Sequence, residues 1–520
     1  MRPLPLLALL VLFSLVMGLQ AHGGPARAAD GVTAVDPGGA HSCALTAAGG
    51  VKCWGWNFSG QLGDGTLNTS PAPVTTCARG VGPDCEGGSP LRNVVTISAG
   101  DYHTCALTED GGVTCWGLNE DGQLGDGTTD DRATPGDVCG PPASSGDAPP
   151  PDCAAIGEIA AISAGSSHTC AVTTPAGVKC WGANSRGQLG NGTTIGRSRP
   201  EDVCEGAATV AGTCLPLSGV VAISSGSSHT CALTVSGGVK CWGSNEAGQL
   251  GDNGACGAIC SAPAVVCKPD AVPAGALDSE RRGNGSGAPS PSCVPMSDAA
   301  MISAGGAHTC ALSTSGRATC WGDNAGGQLG DGSEVSRSKP VDVLIDDVVA
   351  ITAGAGHTCA LGVSGNVSCW GQNILSQLGD GTTTNSSTPN DVAGLDSGIV
   401  SVAAGASHTC ALTAAGTITC WGWNGDGRLG DGTFELRGTP VDVVGLGPKE
   451  PGTPTPTPGG PAGDVNCDRQ TNAIDAALIL QFGAQLITSL PCHANGDFNH
   501  DGTINALDAG LVLQVSAGLI

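Results

Sequence analysis

One phrase recurs seven times along this chain: a Gly-rich approach, a His, a Cys, a short apolar run, a second Cys ten residues later, Trp-Gly, and a turn of the Gln-Leu-Gly-Asp-Gly type, varied in three copies. The most regular copy runs from Ala99 through His103, Cys105, Leu107, Cys115, Trp116 and Gly117 to Gln123, Leu124, Gly125, Asp126 and Gly127. The repeated histidines are His41, His103, His168, His229, His308, His357 and His408. Their shortest spacings are about fifty residues, the size of one propeller blade. Units of this kind bury their apolar faces against their neighbours, so the array predicts a single closed ring rather than several small domains. The expected fold class is an all-β seven-bladed β-propeller.

Composition agrees with a turn-dense β protein. The 520 residues include 85 Gly and 33 Pro but only 21 Lys and Arg together, which suits neither a helical bundle nor a coiled coil. A formal charge of −25 repels phosphate backbones and anionic lipids, so nucleic acid is excluded as an expected partner. Arg2, the apolar stretch Leu4 to Met17 and the small-x-small pattern Ala26-Arg27-Ala28 predict a secretion signal over residues 1–28 and a mature chain from Ala29. No later segment is apolar enough to span a membrane in the mature chain. Export to the extracellular space also accounts for 26 cysteines, an even number suited to an oxidising compartment.

Within each repeat the stretch from His to Trp-Gly reads as a β-hairpin around a Gly-bearing turn such as Glu109-Asp110-Gly111-Gly112. The two cysteines stand symmetrically about that turn, which places them opposite each other on neighbouring strands. One disulfide per blade follows: Cys43–Cys53, Cys105–Cys115, Cys170–Cys180, Cys231–Cys241, Cys310–Cys320, Cys359–Cys369 and Cys410–Cys420. Metal binding by the same residues fails on arrangement, because equivalent positions on a ring do not converge on one ion. Ten further cysteines are assigned to insertions between blades. Cys139, Cys204 and Cys267 follow the last strand of a repeat, while Cys153, Cys214 and Cys293 each precede the Gly opening the next blade by twelve residues. The expected pairs are Cys139–Cys153, Cys204–Cys214 and Cys267–Cys293, with Cys77–Cys85 and Cys256–Cys260 as local pairs. These insertions follow repeats one to four only, so they predict a lopsided rim on one face of the ring, a candidate binding surface.

The combination Gly-x-x-His-Thr-Cys-Ala-Leu, Cys-Trp-Gly-x-Asn and Gly-Gln-Leu-Gly-Asp-Gly-Thr resembles the regulator of chromosome condensation repeat. That resemblance covers roughly residues 31–447, within a propeller domain spanning 29–447, and implies a seven-bladed propeller whose ring closes by letting terminal strands share a blade; here Val32-Thr33-Ala34-Val35 would pair beside Pro440-Val441-Asp442-Val443. Fold resemblance does not carry function with it. The family's nuclear exchange activity on a GTPase fits neither the export signal nor the charge. Secreted bacterial members, one of them an inhibitor that caps an enzyme, fit the setting better. The repeated His, Trp and Gln obey the symmetry of the array, whereas a catalytic site breaks it. No nucleophile elbow, phosphate-binding loop or His-Glu-x-x-His is present, so no catalytic residue is assigned.

Residues 448–462 form a Pro/Thr linker that cannot bury a core. Residues 463–520 then carry two loops of oxygen ligands at EF-hand spacing: Asp464, Asn466, Asp468, Gln470, Asn472 and Asp475, and Asp497, Asn499, Asp501, Thr503, Asn505 and Asp508, with Gln470 and Thr503 contributing backbone carbonyls. All-oxygen ligands suit a hard cation, and calcium is the expected cofactor at two sites. Gly502 provides the sharp turn in the second loop; Arg469 stands at that point in the first, where a left-handed backbone costs on the order of 1 kcal/mol. Each loop is followed by an apolar helical run, and Cys467–Cys492 is expected to close this small α-helical, EF-hand-like core. The duplicated Asp-x-Asn-x-Asp loop plus helix resembles a type I dockerin, which implies a cohesin partner. The positions that would read it are Ala473, Ile474, Ala506 and Leu507, more apolar than is common in that family.

The sequence thus points to a secreted, non-enzymatic binding or scaffold propeller with a calcium-dependent docking module. Two alternatives stand beside it: a component of polysaccharide-degrading machinery, by carbohydrate binding or glycoside hydrolysis, and a secreted enzyme inhibitor.

Overall fold

The computed structural model describes residues 31–78, 89–140, 153–206, 214–268 and 293–447. The chain divides into two units at Pro448/Lys449, and every described residue belongs to the first. These residues form seven antiparallel sheets of four strands, each built from one repeat in chain order. Blade 1 comprises Val32–Pro37, His41–Thr46, Val51–Gly55 and Ser70–Thr75, and blade 7 comprises Ile399–Ala404, His408–Thr413, Ile418–Gly422 and Arg437–Asp442. The first strands end around a central cavity lined by Asp36, Gly38, Gly100, Gly165 and their equivalents, so the first strand is innermost and the fourth is outermost.

This corrects the expected closure. Val32–Pro37 pairs with His41–Thr46 of its own blade, and Arg437–Asp442 pairs only with Ile418–Gly422. An inner strand and an outer strand cannot be neighbours, so no blade is shared. The ring closes instead by side-chain packing: Val32, Val35, Ala44 and Trp54 share one buried cluster with Cys410, Leu412, Ile418, Cys420, Leu429 and Val443. The same recipe fills each of the other six joints; Cys43, Cys53 and Leu62 of blade 1, for example, pack on Ile97, Ala106 and Trp116 of blade 2. Burying a whole indole in every joint is the main apolar contribution to ring stability.

The blade disulfides form between directly opposed residues of the second and third strands, with Cα atoms 4.1 Å apart. Cys139–Cys153, Cys204–Cys214 and Cys267–Cys293 also form, and Cys77 is disulfide-bonded. Cys85, Cys467 and Cys492 lie outside the described residues. Cys256–Cys260 forms too, but in the connection leading into the fourth strand of blade 4, Ile259–Val265, and not in an insertion between blades. There the turn Asp252-Asn253-Gly254-Ala255 replaces the usual Asp-Gly-Thr, and Asp252 Oδ2 accepts the Cys256 N–H at 2.7 Å.

Candidate functional site

The repeated polar residues are spent on joining blades. His41 Nε2 lies 2.7 Å from Thr104 Oγ1 of the next blade, and that hydroxyl donates to the Gln61 carbonyl at 3.0 Å. Trp116 Nε1 donates to the same carbonyl at 2.9 Å. Because the Thr proton is committed to Gln61, His41 must donate from Nε2, which fixes the tautomer and leaves Nδ1 as a bare acceptor. Nδ1 of all seven histidines is buried without a hydrogen-bond partner among the described residues. Burial holds His103, His168, His229 and His357 down to about 3 and His308 to about 4. For His41, also at about 3, and for His408 the charge of Arg428 adds to burial. Seven neutral imidazoles with both nitrogens walled in are structural, not catalytic, groups.

The turn motif has an equally local purpose. Asn119 Oδ1 accepts the Leu124 N–H at 2.9 Å, and Asp126 Oδ1 accepts the Thr128 N–H at 2.9 Å, so Asn and Asp-Gly-Thr tie the loop from within. Gly125 has φ of +72°, and a Cβ there would stand 2.6 Å from Trp181 Nε1 of the following blade. The Gln-Leu-Gly sequence is therefore a seat for the next blade's indole.

The connections between blades emerge on the face opposite these loops. Their necks are pinned by the bridges Cys77 to Pro90, Cys139 to Ala155, Cys204 to Pro216 and Cys267 to Pro295. The insertions themselves, 79–88, 141–152, 207–213 and 269–292, lie outside the described residues. Between the third and fourth necks a groove is lined by Leu215, Pro216, Val235, Val265, Pro295 and Met296, with an ion pair between Lys240 and Glu205 at its edge.

Breaks in the repeat are scattered, but the surface aromatic residues cluster. Apart from the seven core tryptophans, the aromatic residues of the described ring are Trp56, Phe58, Tyr102, Trp423 and Phe434. All lie on the loop face, in blades 7, 1 and 2, where equivalent positions of other blades hold residues such as Ser244, Ala325, Ser167, Ala183 and Thr383. Arg428 stands where the other six repeats have Gln, and Ser42 where they have Thr. Arg428 is buried, donates from Nη1 to the Gly39 carbonyl at 2.5 Å and pairs with Asp426 through Nη2. Asp101 of blade 2 rests against Gly39 from the other side, where a Cβ would come within 2.6 Å of its Cα. Burial raises the Asp101 carboxyl, opposed by a Ser166 hydrogen bond and by Arg428. Sequence reading that sought conserved-looking repeats passed over these five rings; lining up the blades and listing the exceptions would have found them.

Twelve proposed calcium ligands, from Asp464 to Asp508, and the docking positions Ala473, Ile474, Ala506 and Leu507 lie outside the described residues. Among the described residues no cluster of three or more His, Cys, Asp or Glu is arranged to hold a metal, and no helix is long and apolar enough to cross a membrane.

Fold and joints together define a disulfide-stapled propeller whose polar repeat is architectural and whose distinctive residues lie on its faces. Comparison with known proteins agrees: residues 80–453 match the RCC1-like domain, residues 32–61 and 48–107 the regulator of chromosome condensation (RCC1) repeat, and residues 462–514 the dockerin type I domain. The chain belongs to the RCC1-like family and carries a dockerin type I domain. Type I dockerins generally bind calcium, and dockerins typically bind cohesin. It is 29% identical over 418 residues to the ultraviolet-B receptor UVR8 of Arabidopsis thaliana, covering 80% of this chain and 70% of that one. It is 33% identical over 233 residues to the probable E3 ubiquitin-protein ligase HERC3 of Homo sapiens, covering 44% of this chain but only 19% of the relative. Among solved structures, Prp20p from Saccharomyces cerevisiae superimposes with a TM-score of 0.54 at 20% identity over 80% of this chain and 88% of that one. Human WBSCR16 gives 0.54 at 23% identity over 76% and 94%. These likenesses concern the fold.

Proposed function

We propose that this chain is an exported, non-catalytic binding propeller that its dockerin module attaches, through two calcium ions, to a cohesin-bearing extracellular assembly. The observation that carries the reading is the use of the repeated His, Thr and Trp side chains, with the Gln backbone carbonyl, by the joints, which leaves unrepeated surface for recognition. An acidic, disulfide-stapled ring is a poor match for chromatin or for reducing compartments. Carboxylates and amides at Asp464 to Asp475 and Asp497 to Asp508 supply hard oxygen donors, and calcium bound there would order the two helical runs against each other.

The test uses the full chain. Calcium titration by calorimetry is expected to reveal two binding events, and immobilised type I cohesins are expected to retain the protein in calcium and release it in EDTA. Asp497→Ala with Asp501→Ala should abolish one event and weaken retention. Absence of calcium binding, or retention indifferent to EDTA, would overturn the docking half of the proposal.

A further inference from the structure

We propose that the aromatic arc over blades 7, 1 and 2 is a stacking platform for a neutral polysaccharide chain, an inference that deepens the reading of the propeller as a binding unit and rests on it. Among the described residues, the five aromatic rings outside the joints all fall in three consecutive blades and on one face, at positions the repeat leaves variable: Leu118, Ala183, Ser244, Asp323 and Gln372 stand where Trp56 and Trp423 do. A recognition site, unlike a joint, has to break the symmetry of the ring. Phe58 is 63% exposed, Phe434 51%, Tyr102 43% and Trp423 36%.

Their arrangement favours flat stacking. The Trp423 indole lies over Gly425, whose missing Cβ would fall 2.4 Å from Cζ2, so one edge is braced by backbone while the side chain remains open to solvent. Trp56 and Phe58 brace each other with centroids 4.4 Å apart at 44°. Aromatic faces carry partial negative charge and attract the C–H faces of a sugar ring.

Between the rings lies polar machinery held rigid. The Arg428–Asp426 pair of blade 7 and Asp101 of blade 2 converge over Gly39 of blade 1. The partly exposed carboxyl groups of Asp426 and Asp101, fixed in place by Arg428 and Gly39, suit ligands rich in hydroxyls.

Two features select this occupant over others. Exposed carboxylates, Glu120, Asp121 and Glu435, share the loop face with the rings, whereas the core of a protein interface is depleted of charge. The chain's charge of −25 excludes acidic polymers. An extended neutral chain crossing successive blades meets a ring on each.

The experiment is affinity electrophoresis of the full-length protein in EDTA, so that docking through the C-terminal module contributes nothing. Gels contain hydroxyethyl cellulose, xyloglucan, galactomannan, xylan or a soluble β-1,3-glucan, with polygalacturonate as the acidic contrast. At least one neutral polymer is expected to retard the protein, and polygalacturonate not to. Trp423→Ala and Trp56→Ala, checked for native melting, should each weaken retardation at least about tenfold, a usual size for one lost stacking contact. Val235→Ser on the opposite face should leave it unchanged. The proposal is overturned if no neutral polymer retards the protein, or if both tryptophan variants bind like the parent. Crosslinking of this face to a secreted protein, lost in Trp423→Ala without any polymer retardation, would overturn it in favour of a protein partner. Because EDTA is present throughout, failure here leaves the cohesin test untouched.

Discussion

His408 Nε2 lies 2.8 Å from Ser42 Oγ, joining residues 366 positions apart, and the Ser42 hydroxyl donates onward to the Arg428 carbonyl at 2.9 Å. Trp54 Nε1 donates to that same carbonyl at 2.8 Å. The joint that closes the ring therefore repeats the hydrogen bonds of the other six, with Ser in place of Thr and the Arg428 carbonyl in place of that of Gln. Velcro-like strand exchange is unnecessary because the closing joint already has the packing and hydrogen bonds of an internal one.

Ser42→Ala removes the acceptor of a buried imidazole N–H, which costs about 1–3 kcal/mol when it is left unmade. A clear fall in the thermal midpoint is expected, while Ser42→Thr, the residue of the other joints, should melt near the parent. Calorimetry of the two variants distinguishes them, and equal midpoints would show that the closing joint is not a point of weakness.

Acid should destabilise the ring. The histidines are neutral in the fold, five of them held down to about 3, His308 to about 4 and His408 well below its ordinary value, but take a proton in the unfolded chain near 6.5. Below 6.5 the unfolded state therefore binds more protons, and stability is lost progressively from there down toward about 3, by up to about 1.4 kcal/mol per pH unit for each histidine. Asp36 works in the opposite sense: burial, resisted by the Ala99 N–H, raises it to about 7, so its contribution is fully favourable below about 4 and is lost as pH rises toward 7. Asp101, also raised by burial, works in the same sense as Asp36, and the seven histidines outweigh the two carboxyls. Denaturant midpoints at pH 7.5, 6, 5 and 4 should fall steeply below 6; a flat profile would contradict the burial of neutral imidazoles.

Glycines before each histidine form a ring around the central cavity. A Cβ at Gly100 would stand 2.4 Å from the Gly165 carbonyl oxygen and 2.4 Å from His103 Cε1, whereas one at Gly157 meets nothing within 4 Å. Gly100→Ala should cost about 1–3 kcal/mol by overpacking, and Gly157→Ala should be close to neutral. Paired chemical denaturation of the two variants reads this difference directly.

Deleting one blade staple, as in Cys105→Ala with Cys115→Ala, opens a short loop and leaves space in a buried joint. A loss of roughly 2–3 kcal/mol is expected from the chain-entropy account alone. Non-reducing peptide mapping of the parent should recover Cys105 linked to Cys115 and Cys139 linked to Cys153; a scrambled pattern would refute the register of the second and third strands.

Short-range patterns in the sequence determined the blade count, the hairpins, the pairing of cysteines such as Cys43 with Cys53 across a turn, and the loop-tying use of Asp-Gly-Thr. All of these depend on residues within one repeat, where spacing alone fixes which side chains meet. Tertiary structure alone decided that His41 bonds to Thr104, that Gly63 seats Trp116, that Val32–Pro37 and Arg437–Asp442 stay in separate blades, and that Cys256–Cys260 belongs to the loop face. It also decided that Trp423, Trp56 and Tyr102 share one arc, since blades 7, 1 and 2 are neighbours only once the ring has closed. The reason is physical: a repeat specifies its own strands through local geometry, but which face, which neighbour and which end of the chain a side chain meets depends on the curvature accumulated over seven packed joints.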